Sequence, residues 1–219
     1  MIVTIDGPAG AGKSTIARAL AARLGFRFLD TGAMYRAVAL AAMERKLDWN
    51  RADDLVDLAH RMDLRVSERQ VTVDGQDVTL AIRTAEVTAA THHAANNPGV
   101  RAHLVELQRR EAANDDIVTE GRDQGTVVFP HAQCKIYLTA SPEERARRRA
   151  SELAARGEPA SVDEVLRRQN QRDQRDASRD VGPMVAASDA IEVATDGLSP
   201  SEVVDRLEEL VRQKMNEPT

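Results

Sequence analysis

The sequence predicts an α/β protein with a five-stranded parallel sheet covered by helices on both faces. Short runs rich in Val, Ile and Leu alternate with segments that have the apolar periodicity of helices. A glycine-rich loop follows the first apolar run directly, and three later helix starts have Ser and Glu at capping-box spacing. A chain of 219 residues with 42% hydrophobic content is large enough to bury such a core.

Five segments are candidate strands of the parallel sheet. They are residues 2–6, 27–30, 117–120, 135–139 and 190–194. The capping boxes begin at Ser141, Ser161 and Ser199, each with Glu three positions later. The last box opens a helix with an apolar side, which we expect to pack against the sheet.

Residues 63–80 interrupt the alternation of strands and helices. Apolar and polar residues alternate there around Asp74-Gly75, which is a typical tight-turn pair. This pattern predicts a small antiparallel sheet apart from the parallel one. Helices are expected near 84–95 and 98–113, so the whole region is an insertion into the parallel fold.

Residues 167–176 contain no apolar side chain and follow the helix start at Ser161. We expect a helix with little or no buried face. Four arginines spaced i, i+4, i+7 and i+11 would then lie along one side, with Asp176 beside one of them; they are Arg168, Arg172, Arg175 and Arg179. Two interpretations remain open: a solvated helix with ion pairs, or a mobile helical lid that brings guanidinium groups to a phosphate.

The first strand leads directly into the complete phosphate-loop pattern GxxxxGK[ST]. Its glycines allow successive backbone N–H groups to surround an anion, and the following helix adds its positive end. Lys13 would reach the β- and γ-phosphates of ATP, and the Ser14 hydroxyl would ligate Mg²⁺. The alternative is a plain glycine-rich turn before a helix. The predicted ATP-binding residues are Gly7, Pro8, Ala9, Gly10, Ala11, Gly12, Lys13, Ser14 and Thr15.

Two further segments carry candidate binding residues. Residues 30–36 place a hydroxyl and an arginine at a helix start, which suits either a second phosphate-bearing group or an ordinary helix cap. Glu120 ends an apolar strand, where a carboxylate can orient the water shell of Mg²⁺. Arg122 and Asp123 follow at the carboxyl edge of the sheet, where α/β folds bind ligands, unless the two simply pair with each other.

Composition excludes several classes of protein. A net charge of −5 argues against general nucleic-acid binding. No apolar stretch has the length of a membrane span, and the first strand begins at once without a signal peptide. The single cysteine, Cys134, is expected in a buried strand in a reducing compartment. We therefore expect a cytoplasmic protein that binds neither nucleic acid nor membrane.

Taken together, these segments resemble the bacterial cytidylate kinases, a family of P-loop nucleoside monophosphate kinases. The resemblance extends in order over nearly the whole chain, and the string Gly-Arg-Asp-x-Gly-Thr-Val-Val-Phe-Pro is its most specific part. The matching segments are residues 7–15, 30–36, 82–87, 120–130, 141–149 and 172–179. The resemblance implies transfer of the γ-phosphoryl group of ATP to CMP or dCMP, with Mg²⁺ and without a partner subunit.

The resemblance also implies residue roles. Arg36, Arg122 and Arg179 would hold the phosphate of CMP, Asp123 and Arg101 would read the cytosine, and Arg172 and Asp176 would meet the sugar. The implied CMP site is thus Thr31, Arg36, Arg101, Arg122, Asp123, Arg172, Asp176 and Arg179, and the implied catalytic residues are Lys13, Arg172 and Arg179. The implied division is a core of 1–30, 114–154 and 181–219, a nucleoside-monophosphate region of 31–113, and a lid of 155–180.

One position departs from the family pattern. His92 stands where many relatives carry a serine that helps to read cytosine, nine positions before Arg101, and Thr91 is adjacent. Phosphate binding is therefore better specified than the choice between CMP and UMP. Two other functions remain open: a kinase for a different small acceptor, such as a shikimate-like hydroxyl compound, and a nucleotide-gated switch without phosphoryl transfer.

Overall fold

The computed structural model describes residues 1–67, 69–155 and 157–216. The chain forms two compact units, one from residues 1–28 with 116–219 and the other from residues 29–115. Glu68 of the predicted small sheet and Arg156 of the predicted lid lie outside the described residues. The finer division into core, nucleoside-monophosphate region and lid stays a prediction.

The secondary structure follows the predicted order. The strands are β1 Ile2–Asp6, β2 Arg27–Asp30, β3 Leu64–Val66, β4 Val71–Val73, β5 Gln76–Asp77, β6 Ile117–Glu120, β7 Cys134–Thr139 and β8 Ile191–Ala194. The helices are α1 Lys13–Leu24, α2 Thr31–Glu44, α3 Ala52–Arg61, α4 Ala85–Asn96, α5 Pro98–Ala112, α6 Pro142–Ala155, α7 Val162–Ala177 and α8 Pro200–Asn216. Short 3₁₀ and π-helical turns occur at Ala81–Arg83 and Gln124–Val128.

The large sheet has the strand order β2-β6-β1-β7-β8. β1 lies between β6 and β7 and is parallel to both, with Val3 opposite Val118 on one side and Cys134 on the other. The predicted five-stranded parallel sheet with flanking helices is therefore confirmed. Because neighbouring strands run the same way, the carboxyl ends of β1 and β6 meet at one edge, which places Asp6 near Glu120.

The core of the first unit lies between this sheet and the helices α1 and α8. Apolar side chains of all five strands pack with Ile16 and Leu20 of α1 and with Leu207 and Val211 of α8. Cys134 is a free, buried cysteine within this core, as expected. Burial of this face is what orients α1, and α1 carries Lys13 and Ser14 at its first turn.

All three predicted serine caps are formed, and the cap at Ser199 is a complete capping box. The hydroxyls of Ser141, Ser161 and Ser199 accept the N–H groups of the glutamates three positions later at 3.2–3.3 Å. At Ser199 the box is reciprocal, because Glu202 Oε2 accepts the serine N–H at 2.8 Å. The starts of α6, α7 and α8 therefore follow from local sequence.

The second unit contains the predicted small antiparallel sheet, in the order β3-β4-β5. Asp74 and Gly75 join two of its strands with φ values of +51° and +80°, as a primed turn requires. In the same unit, α2 packs against α3 and α4, and α3 packs against α5.

The polar segment of residues 167–176 is helical, but two expectations about it are wrong. α7 has a buried side, on which Val165, Gln169 and Asp176 lie. The helix also ends at Ala177, so Arg179 lies beyond its last turn and the four arginines do not share one helical face. Asp176 and the amide nitrogen of Gln169 find partners elsewhere in the first unit, and sequence spacing does not reveal such partners.

Candidate active site

The phosphate loop joins the end of β1 to the start of α1. Gly7, Gly10 and Gly12 have φ values of +142°, +81° and +86°, a range that favours glycine. A Cβ atom at Gly7 would lie 2.0 Å from the carbonyl oxygen of Leu138, so no other residue fits there. The loop thus presents its backbone N–H groups at the positive end of α1.

Lys13 is buried in the loop, and its Nζ donates to the carbonyl oxygen of Pro8 at 2.7 Å. Burial lowers the pKa of this amine to about 7, and the positive charges of Arg122 and Arg172 contribute, against the opposite effect of Glu120 and Asp6. The ammonium form therefore needs an anion to stabilise it, and a triphosphate supplies one.

Ser14 and Glu120 form an oxygen pair at the mouth of the loop. The Ser14 hydroxyl donates to Glu120 Oε1 at 2.8 Å, and the carboxylate is buried at the end of β6. A hydroxyl and a carboxylate are hard oxygen donors, which suit Mg²⁺ when waters and phosphate oxygens complete its octahedron. These residues fit the metal that the sequence implies.

Asp176 binds two guanidinium groups in the first unit. Arg122 Nε donates to Asp176 Oδ2 at 2.9 Å, and Arg179 Nη2 donates to Asp176 Oδ1. Burial raises the pKa of Asp176, but Arg122, Arg179 and Arg172 outweigh it and hold the pKa below its ordinary value. Burial disfavours the charge on Arg122, but Asp176 and Glu120 raise the pKa of Arg122 above its ordinary value. This cluster is a charged site that can exchange its internal ion pairs for an incoming phosphate.

The other arginines of α7 are more exposed. Arg172 Nε lies 3.9 Å from Asp176 Oδ2 and is half exposed. Arg168 is largely exposed and pairs with Glu164 one turn earlier, while Arg175 is exposed. The interpretation as solvated ion pairs therefore describes Arg168, whereas Arg172 and Arg179 belong to the cluster around Asp176.

Asp6 positions the loop after β6, a role that the sequence analysis missed. Its carboxylate accepts the N–H groups of Gln124 and Gly125 at 2.9 and 2.7 Å. Burial raises the pKa of Asp6 to about 6, against these two hydrogen bonds, which lower it. The bonds hold the π-helical turn that follows Arg122 and Asp123. The position of this carboxylate at the end of a buried strand was a sequence signal that could have revealed the role of Asp6.

In the second unit, Asp30 organises the start of α2. Its Oδ1 caps the helix by accepting the Ala33 N–H at 2.9 Å. Arg36 Nη2 and Arg83 Nη2 also donate to this carboxylate, at 3.2 and 3.1 Å. Thr31 is buried as the first residue of α2. Asp30 thus forms the helix cap and also binds Arg36. Arg83 is a further arginine at this carboxylate that the sequence analysis did not single out.

Of the two residues predicted to read the base, Asp123 lies in the first unit and Arg101 in the second, together with His92 and Thr91. Arg101 is buried, with Nη1 donating to the Ala95 carbonyl at 3.3 Å. His92 Nδ1 lies 2.6 Å from the Ala89 carbonyl, and its ring is 4.0 Å from that of His93. The Thr91 hydroxyl donates to the Val87 carbonyl at 2.7 Å, so its oxygen can only accept another bond.

Each unit therefore brings together its own set of predicted residues. In the first unit, Lys13, Ser14, Glu120, Arg122, Asp176 and Arg179 belong to one network of bonds and charges. In the second, Arg36 lies five residues after Thr31 in α2.

Within the described residues, no group of three His, Cys, Asp or Glu side chains is arranged to hold a metal ion. No helix in the described ranges is long and apolar enough to span a membrane.

The family model for cytidylate kinase matches residues 3–213 of this chain. The chain belongs to the cytidylate kinase family. The cytidylate kinase of Rhodopirellula baltica is 54% identical over 213 residues, which cover 97% of this chain and 93% of that protein. That of Desulfitobacterium hafniense is 47% identical over 216 residues, with 97% and 93% coverage. The predicted family, and with it a kinase that acts on nucleotides, is confirmed.

Solved structures support the fold. An uncharacterized protein from Eubacterium ventriosum superposes with a TM-score of 0.55 at 10% identity, covering 97% of this chain and 98% of that one. A shikimate kinase from Bacteroides thetaiotaomicron superposes with a TM-score of 0.50 at 15% identity, with 97% and 98% coverage. At identities this low, the likeness shows only that these proteins share the fold of this chain.

Proposed function

We propose that this chain transfers the γ-phosphoryl group of ATP to CMP or dCMP, giving ADP and CDP or dCDP, within pyrimidine nucleotide metabolism. The observation that carries the proposal is the family match over residues 3–213, with a complete phosphate loop at its start. The buried guanidinium groups of the first unit support it, because they suit the charge that spreads over a transferred phosphoryl group.

ATP binds along residues 7–15, and its β- and γ-phosphates replace the Pro8 carbonyl as the partner of the Lys13 ammonium. Ser14 would hold Mg²⁺ directly, and Glu120 would orient its water shell. The metal would supply positive charge to the phosphates of ATP. This chain contributes the fixed backbone N–H groups, the lysine, the serine hydroxyl and the carboxylate.

The family resemblance assigns eight residues to CMP. Thr31, Arg36 and Arg101 of the second unit are assigned to it, as are, in the first unit, Arg122, Asp123, Arg172, Asp176 and Arg179. Arg36 shares Asp30 with Arg83, so a phosphate that draws Arg36 away leaves the carboxylate with a cationic partner. Lys13, Arg172 and Arg179 stabilise the group in transfer and are the proposed catalytic residues.

The reaction is a direct in-line displacement. An oxygen of the CMP phosphate forms a bond to the γ-phosphorus as the bond to the ADP oxygen breaks, and ADP leaves with that electron pair. The attacking oxygen is already ionised near neutral pH, so the side chains align and stabilise rather than remove a proton.

We further propose that the enzyme acts as a monomer in the cytoplasm on small-molecule substrates, with neither nucleic acid nor membrane as a partner. The net charge of −5 supports the absence of a nucleic-acid partner, because nucleic-acid binding requires a basic surface.

An ADP-release assay with Mg²⁺ and ATP tests the function. CMP and dCMP are expected to be the best acceptors in a panel with UMP, AMP and shikimate. Lys13→Ala and Arg179→Ala are expected to lower turnover by about 10²–10³-fold while the protein stays folded. A wild-type protein that binds ATP and forms no CDP would reject the proposal.

A further inference from the structure

Helix α7 contacts the phosphate loop through side chains that the proposed mechanism does not use. These residues are Arg145 on α6 and Gln169 and Asp173 on α7, and all lie in the first unit with the loop. Gln169 and Asp173 are one helical turn apart, so they share the side of α7 that faces the loop.

Asp173 and Arg145 bind both backbone polar groups of Ala9. Asp173 Oδ1 accepts the Ala9 N–H at 2.9 Å, and Arg145 Nη1 donates to the Ala9 carbonyl at 2.7 Å. The same Nη1 donates to Asp173 Oδ2 at 2.5 Å. Both side chains are mostly buried. A closed ring of charge-assisted bonds therefore joins α6, α7 and the loop.

Gln169 extends this contact to the next loop residue. Its Nε2 donates to the Arg145 carbonyl at 3.3 Å and lies where a Cβ atom on Gly10 would approach within 2.4 Å. Gly10 therefore has two reasons to be glycine: its φ of +81° and the close approach of α7. Helix α7 therefore packs against the loop at two successive residues, Ala9 and Gly10.

The ring also determines where the neighbouring residues of α7 lie. Arg172 precedes Asp173 in the chain, and Asp176 follows it by three residues, so a shift of Asp173 moves both. The Asp173 carboxylate is close enough to Arg122 to raise the pKa of that guanidinium, together with the larger effects of Asp176 and Glu120. Movement of Ala9 on nucleotide binding would thus be transmitted to the residues assigned to CMP.

We propose that Asp173 is a positioning residue that couples the phosphate loop to helix α7 and so sets the position of Arg172 and Asp176 for phosphoryl transfer. Asp173 does not touch the substrate, because its negative charge would repel a phosphate. It acts through Arg172, and its kinetic consequence rests on the function proposed above.

Amide hydrogen exchange tests the coupling without any substrate. Asp173→Asn keeps an acceptor for the Ala9 N–H but loses the ion pair with Arg145. We expect amides of residues 170–177 to exchange about tenfold faster in this variant, and ATP to slow them less than in the wild type. The matched control is Asp163→Asn, which changes an exposed aspartate in the first turn of the same helix. Equal exchange in Asp173→Asn and the control would overturn the coupling.

A double-mutant cycle distinguishes positioning from general destabilisation. Asp173→Asn is expected to lower kcat about 10- to 100-fold with a smaller change in the KM of ATP, the cost of misplacing a catalytic group. In an Arg172→Ala background, the same substitution is expected to lower kcat less than about threefold. Effects that multiply in the double variant would overturn the proposal.

Asp173→Glu keeps the charge one methylene further out, so it is expected to lose less kcat than Asp173→Asn. If the amide variant does not fold, Asp173→Glu replaces it in both experiments, with smaller effects expected in the same direction. A kcat of Asp173→Glu below that of Asp173→Ala would count against the proposal. If the wild type forms no CDP, the proposed function fails, while the exchange experiment still decides the coupling.

Discussion

Lys13 is buried in the phosphate loop with a backbone carbonyl as the hydrogen-bond partner of its amine. Burial, with Arg122 and Arg172, lowers its pKa to about 7, whereas an unfolded lysine titrates near 10.5. Without an anion beside the amine, burial therefore disfavours the ammonium form that phosphate binding requires. Triphosphate raises this pKa again, because opposite charge favours the protonated amine.

We predict that ATP binding takes up a proton at alkaline pH. Below about pH 7 Lys13 is already charged and no uptake is expected, whereas near pH 8.5 the uptake approaches about one proton. The affinity then falls with rising pH, about tenfold per unit above 7. Calorimetry in buffers of different ionisation enthalpy measures this number.

Lys13→Arg is the control for that experiment, because a guanidinium remains charged throughout this range. Its proton uptake near pH 8.5 is expected to vanish. Uptake that persists in Lys13→Arg would assign the proton to another group.

The second unit offers a prediction about base selection at His92. Its ring is held by the Ala89 carbonyl and lies against His93, and the neighbouring Thr91 hydroxyl is already bonded. His92→Ser is expected to raise kcat/KM for CMP relative to UMP about five- to tenfold, the value of one hydrogen bond.

Steady-state kinetics with both nucleotides measure this ratio. His131→Ser is the matched control, because His131 is exposed and lies in the first unit. An unchanged ratio in His92→Ser would remove His92 from base recognition.

Among the helices and strands, the strongest local determinants are caps and turns. The Ser141, Ser161 and Ser199 boxes start three helices, and Asp74-Gly75 turns between two short strands. Each depends on residues within four positions, which is why each was predictable. The π-helical turn after Asp123 was not, because Asp6 holds it from 118 residues away in the chain.

We predict that Gly75→Ala destabilises the protein by about 1–2 kcal/mol, because alanine is strained at a φ of +80°. Gly75→Asn is the control and should lose less, since asparagine tolerates this conformation. Urea unfolding measures both. Turnover is expected to stay unchanged, and a loss of turnover in Gly75→Asn would connect the small sheet to catalysis.

For the chain as a whole, the proposed monomer gives a simple expectation. Sedimentation equilibrium is expected to return a mass near 24.0 kDa at all protein concentrations, with and without ATP. A mass that rises with concentration would contradict the monomer. Val203, Val204, Leu207 and Val211 of α8 are already buried in the core with the sheet, so that face is not available to a second copy.

Strand positions, helix starts and the glycine loop were predictable from neighbouring residues, because short apolar runs and short-range capping determine them. The family resemblance extended this reading to the acceptor, and the match over residues 3–213 confirmed the family. The polar side of α7 was misread, because Gln169, Asp173 and Asp176 find their partners far away in the chain.

Local sequence was thus enough to predict the fold class and the donor loop, and the family resemblance added the kind of reaction. Folding alone brought Asp173 to Ala9 across 164 residues, Arg122 to Asp176 across 54, and Ser14 to Glu120 across 106. It also set the low pKa of Lys13 and the raised pKa of Asp6, since burial depends on the whole packed core. Charge and hydrogen bonding act through space, and only the folded chain determines which groups are near each other.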